Sequence, residues 1–287
     1  MAVLLGLASA ITYGTGDFLG GLVTRRNPAQ RVVFLSKAAG LVLYVAAVPL
    51  LIGAEVTARA WGWGLAAGLA GAAGIAFLYR GLARGRMSVV SPITAVLSAM
   101  VPVLFALAIG ERPSAVQMVG VAVAILAIAL VSAAPDPAAE GGPRAPLRER
   151  LASSGVSDAV LAGFGIGLFL ILITRPGEGS GTWPLVAAQV CEIAVMGLLV
   201  PLTGTAWRPD PGTGKGIATT GVLDAAANLL YLVGTRLGLI SVVAVLTSLY
   251  PAATVLLARV FLRDRLSRSQ VIGLALALAG VILLTVG

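Results

Sequence analysis

The chain has 287 residues, 58% apolar and only 11% charged, with 36 glycines, one cysteine, no histidine and a formal charge of +8. Soluble domains average about 25% charged residues, so this chain lacks the charge to coat a water-facing surface, and its solvent is lipid. Without histidine or a cysteine pair it has no disulfide framework, no imidazole-bound zinc and no Ser/His or Cys/His nucleophile, so neither a metal nor a cofactor is expected.

Apolar runs of membrane length predict ten helices, at 3–23, 32–53, 61–82, 89–110, 116–134, 157–174, 183–203, 216–236, 240–262 and 269–286. These would use roughly 210 residues and leave about 77 for loops and ends, too few for a soluble domain. The first run has no positive n-region, and its Ala8-Ser9-Ala10 site follows too short an apolar core for a signal peptide, so it reads as a membrane helix. Between the fifth and sixth spans, Pro135 to Arg144 is too rich in Pro, Gly and charge to be helical throughout. The expected organisation is a five-helix unit at 1–134, a polar linker at 135–156 and a second five-helix unit at 157–287.

Laid on itself, the chain matches residues 68–132 to 221–285 without a gap, with about 17 identities in 65 where chance in so biased a composition gives about 7. The matches include Gly81/Gly234, Gly85/Gly238, Ser88-Val89-Val90 over Ser241-Val242-Val243, Thr94/Thr247, Arg112/Arg265, Ser114/Ser267, Gln117/Gln270 and Gly120/Gly273. The opening helices align as Tyr13-Gly14-Thr15-Gly16 over Phe164-Gly165-Ile166-Gly167, shifted by two residues from the later block. Five spans per half is an odd number, so the second half enters the membrane in the opposite sense. The fold class is therefore an all-α polytopic membrane protein of two inverted five-helix repeats.

Charges deep in a span cost about 2.5 to 3.5 kcal/mol each on insertion scales, so they need a reason. The deep candidates are Asp17 in span 1, Lys37 in span 2, Glu192 in span 7 and Asp224 in span 8. Asp224, Asn228 and Tyr231 share one face of span 8, as Gln189 and Glu192 do on span 7. These stripes fit a water-filled cavity in which an acid exchanges a proton or binds a substrate ammonium. For Lys37 the competing reading is a buried inter-helix pair with Glu192 or Asp17 that fixes register. Arg80, Arg236 and Arg259 lie near span ends, from which their stems can snorkel to the headgroups. Pro92, Pro102 and Pro251 are expected to break the fourth and ninth spans, which the repeat makes equivalent. Glycine faces on spans 1 and 3 read as close helix packing, and Cys191 as a packed small residue.

The aromatic-Gly opening helix, the Gly81–Ser88 and Gly234–Ser241 junctions, and Glu111-Arg112 through Gln117 and Gly120 resemble the drug/metabolite transporter superfamily, EamA-like branch. A second copy runs from Asp264-Arg265 through Gln270 and Gly273. Two departures are Tyr13-Gly14 where the branch often has Trp-Gly, and Asp264 for the usual Glu. The resemblance implies a secondary transporter with a central cavity lined mainly by helices 1, 3, 4, 6, 8 and 9. Together with the buried acids it sets the expectation of alternating access for a small polar or amphipathic metabolite, an amino acid or amine exported by proton exchange. The alternative within the fold is an uncoupled facilitator of sugars or nucleosides.

Two further classes compete with a carrier. Gly14-Thr15-Gly16-Asp17 matches the Gly-x-Gly-Asp motif of intramembrane aspartyl proteases, but Leu223 precedes Asp224 where that family has Tyr, and no Pro-Ala-Leu occurs. A non-transporting scaffold fits the paired polar stripes and mid-span prolines poorly. The expected partners are a small-molecule substrate and the lipid bilayer of the cell's inner membrane; a homodimer stays open. No nucleic acid is expected, because basic residues sit singly or in pairs without interleaved aromatics. Most of them fall in odd-numbered loops, which by the positive-inside rule puts the central linker in the cytoplasm, opposite to the usual drawing of similar transporters.

Overall fold

The computed structural model describes residues 1–47, 55–84, 87–132, 155–202, 207–263 and 266–287. The long helices are α1 (Ala2–Thr24), α2 (Ala29–Ala47), α3 (Ala58–Arg84), α4 (Met87–Ala108), α5 (Ala115–Ser132), α6 (Val156–Leu172), α7 (Trp183–Leu202) and α8 (Gly214–Leu237). They are followed by two short ones, α9 (Ile240–Thr247) and α10 (Tyr250–Leu257), and then by α11 (Arg268–Val286). Helices α9 and α10 with a π-helical turn at Ala258–Leu262 make up the ninth expected span. Nine spans among the described residues are long and apolar enough to cross a membrane, and α6, at 17 residues, is a shorter apolar helix. At 1.5 Å per residue α6 covers roughly 26 Å, most of a hydrocarbon core. The predicted linker up to residue 154, together with Gly85, Asp264 and Arg265, lies outside the described residues.

Helix α1 packs on α8 and α3 on α6; α2 packs on α7, and α5 on α11. Each pair joins one half to the other, and exchanging the halves turns the set into itself. That is the pattern of a twofold axis passing between α2 and α7 and between α5 and α11. Loops gather at two ends. At the end holding Ala2 and Gly287, here the terminal end, Glu55 N–H donates to the Gly179 carbonyl at 3.2 Å. At the opposite end, Arg31 pairs with Asp210 at 3.3 Å.

The repeated residues have local physical reasons. Ser267 and Gln270 form a capping box at the start of α11, and Ser114 and Gln117 exchange the same two bonds ahead of α5. Each box satisfies two backbone donors that the helix start leaves orphaned. Gly120 lies against Leu283 and Leu284 while Gly273 lies against Leu130 and Val131, so α5 and α11 meet through reciprocal glycines.

The same reciprocity corrects the register of the opening helices. Gly81 faces Val90, Asp158 and Gly155, and Gly234 faces Val243, Leu5 and Ala2. Likewise Gly71 faces Phe169 as Gly16 faces Asp224. These sets coincide only if α1 and α6 keep the register that lays residue 68 over 221, which places Gly14 over Gly167 and removes the two-residue shift. Glycine recurs every few residues in both helices, so the sequence offers several alignments of similar quality.

The proline expectation is also corrected in part. Helix α4 runs unbroken through Pro92 and Pro102. A proline removes one backbone donor and crowds one carbonyl, and packing of the remaining turns can hold such a helix together. The ninth span does break, at Ser248-Leu249, with Pro251 in the first turn of α10, where its missing N–H costs nothing.

Candidate functional site

The middle of α2 crosses between α7 and α8, where small residues let the backbones close up. A Cβ on Gly221 would strike the Ser36 carbonyl, and one on Gly40 would meet Gly221 and the Gln189 amide. Lys37, one residue beyond Ser36, is thereby carried into the core with its side chain 9% exposed. Its Nζ lies 2.8 Å from Glu192 Oε2 and donates to Asp224 Oδ2 at 2.9 Å. Glu192 is almost wholly buried, whereas the Asp224 side chain is 27% exposed.

Gly71 on α3 provides the space for Glu192: a Cβ there would run into its carboxylate. Gln189 Nε2 donates to the Lys37 carbonyl at 2.7 Å, anchoring α7 to α2. Asn228 Nδ2 donates back to the Asp224 carbonyl at 2.9 Å and its Oδ1 accepts from the Tyr13 hydroxyl at 2.6 Å. The buried Tyr44 lies near the same amide, and the Tyr13 ring lies 6.1 Å from that of Tyr250. Polar groups and three tyrosines thus form a layer on the terminal side of the charges.

Asp17 makes no hydrogen bond or ion pair among the described residues. It shares a face of α1 with Tyr13 and Gly20, both of which meet α8, and it lies within electrostatic range of Asp224 and Lys37. Its side chain is nevertheless exposed. Asp17 and the partly exposed Asp224 thus lie on the side of the tyrosine layer away from the terminal end.

Of the residues singled out from sequence, Lys37, Gln189, Glu192, Asp224 and Asn228 come together in one network, with Asp17 beside it. Tyr231 does not join them. It is fully buried, and its hydroxyl donates to the Leu170 carbonyl of α6 at 3.3 Å, because seven residues along a helix is nearly two turns away from Asp224. Tyr13 and Tyr44 are not legible as site residues, since a tyrosine in an apolar run gives no sign of its partner. Arg80 does more than snorkel: it donates to Asp158 of α6 and stacks on Phe77. Arg236 donates to the Gly181 carbonyl at 2.6 Å.

Two inverted helical halves, interleaved around a charged cluster midway along their helices, define the architecture of a membrane carrier. The chain belongs to the EamA-like transporter family, whose sequence pattern matches residues 1–133 and again 153–286. It is a multi-pass membrane protein of the class that moves small solutes. A crystal structure of another protein superimposes with a TM-score of 0.79 at 20% identity, over 99% of this chain and 96% of that one, which shows the shared fold. No curated protein matches in sequence.

Proposed function

We propose that the chain is a secondary transporter that exports a small polar or amphipathic metabolite carrying an ammonium group, in exchange for protons, by alternating access of the halves 1–134 and 157–287 in the cell's inner membrane. One observation carries this reading: Lys37 is held between Glu192 and Asp224, with a third acid, Asp17, alongside. Three acids against one amine leave the cluster negative unless a proton or another cation joins. An uncompensated charge at this depth costs about 2.5 to 3.5 kcal/mol, which favours taking up one or the other. Proton and substrate ammonium then compete for the same carboxylates, and competition for one site is the minimum condition for exchange.

Asp224 and Glu192 handle the cation in this reading, with Asp17 as the acid first met from the opposite end. Gln189 and Asn228, buried and bonded to the Lys37 carbonyl, the Asp224 carbonyl and the Tyr13 hydroxyl, hold the walls of the cluster in place, and Tyr231 sets the spacing to α6. The reading needs only one chain.

The test is to reconstitute the purified protein in liposomes that trap a pH dye and to add pooled amino acids, amines, sugars and nucleosides in turn. A proton movement that depends on an amine or amino acid supports the proposal. Uptake of sugars or nucleosides without proton movement replaces it with a facilitator, and silence with every pool removes the transport mechanism proposed here.

A further inference from the structure

At the terminal end the two halves are joined by one carboxylate. Glu111, in the turn between α4 and α5, accepts from Ile240 N–H at 2.7 Å, from Ser241 N–H at 3.1 Å and from the Ser241 hydroxyl at 2.7 Å. It thus caps the start of α9, in the other half of the molecule, with three charge-assisted bonds from one side chain. Below it, residues Ser241 to Thr247 are buried throughout, and Ala244, one turn in, has no exposed surface. Below these lies the layer of Tyr13, Tyr44 and Asn228 described above, while Asp17 is exposed on the far side of it. Among the described residues, the start of α9 is buried at the terminal end, whereas Asp17 is exposed and the Asp224 side chain is 27% exposed on the other side of the tyrosine layer.

We propose that Glu111 is the latch of the terminal-end gate: the solute path opens at that end only when its three bonds to α9 are released. The inference rests on the alternating-access reading above and adds the element that holds one of its states. In the sequence repeat Asp264 lies over Glu111, and Ser88 of the first half over Ser241 of the second.

The experiment uses the full chain with Cys191, its one cysteine, replaced by Ala. Two reporters are made separately: Ala244→Cys above the charges and Thr220→Cys below them, on α8 beside Gly16 and Gly20. Labelling by a membrane-impermeant maleimide is timed from each face, with Glu111 intact, as Glu111→Gln and as Glu111→Asp. Loss of bonds to a charged acceptor predicts that Glu111→Gln speeds labelling of the Ala244→Cys reporter about tenfold or more. It also predicts slower labelling of the Thr220→Cys reporter, with Glu111→Asp between the two. Simple loosening would instead speed both sites, and that result, or no change at either, overturns the latch. Faster labelling at position 244 with none of the reciprocal slowing at position 220 would keep the latch and contradict alternating access, so the two ideas fail in different ways.

Discussion

Where α5 and α11 begin and meet, the two halves match closely: the same capping box starts each helix, and reciprocal glycines hold them together. At the centre the match stops. Gly221 of α8 faces Ser36 of α2 as Gly68 of α3 faces Ala188 of α7, which puts Lys37 opposite Gln189 and Gly40 opposite Glu192. On the same grounds Asp224 stands where the first half has Gly71. One half gives the amine and the room, the other gives both carboxylates. A scaffold needs symmetric ends to alternate between two equivalent states, whereas a site needs asymmetry to hold a charge of one sign.

The strongest way to break this comparison is to remove the amine. Lys37→Met leaves the buried Glu192 and the partly exposed Asp224 without a partner, and breaking a buried pair costs about 3 to 5 kcal/mol, so the variant is expected to lose much of its thermal stability in detergent. Adding Glu192→Gln and Asp224→Asn to it should recover a large part of that loss. If Lys37→Met alone melts like the parent, the three charges are not coupled.

Glycine at position 71 is tested next. Gly71→Ala puts a methyl group where the Glu192 carboxylate lies and is expected to cost about 1 to 3 kcal/mol, read as a lower melting temperature. In a Glu192→Ala background the same change should cost much less. Equal costs in the two backgrounds would mean that Gly71 serves backbone packing and not the carboxylate.

On the matched side of the comparison the expected effects are small and alike. Gln117→Ala and Gln270→Ala each remove one bond of a capping box, worth about 1 kcal/mol, and their melting temperatures should fall by similar amounts. A large difference between them would show that the ends are less symmetric than their contacts.

Much of this arrangement is legible in the residues. The ten apolar runs, the repeat and the buried charges follow from composition and spacing, because a charge in a lipid span is costly enough to stand out. Its partner does not stand out: Lys37 has an acid within reach on two helices, and only the approach of α2 to Gly221 selects both at once. Glu111 sits in a motif that the repeat makes visible, yet its contact with Ile240 and Ser241 joins turns far apart in sequence. Tyr231 shows the limit of helical spacing as a guide. It lies on the face of Asp224, nearly two turns along, and bonds a different helix. Pro92 and Pro102 show the limit of residue type, since packing decides whether a proline ends a helix or stays inside it.

The central claim is that the asymmetric cluster, and not the symmetric scaffold around it, moves the proton. The most direct measurement compares solute-dependent proton flux in dye-loaded liposomes for the parent, Asp224→Asn, Glu192→Gln and Gln189→Leu, each checked for a folded, monodisperse state. Flux abolished in the first two variants and only reduced in the third is the expected result. Flux at parental rate in the Asp224→Asn, Glu192→Gln double variant would contradict the account.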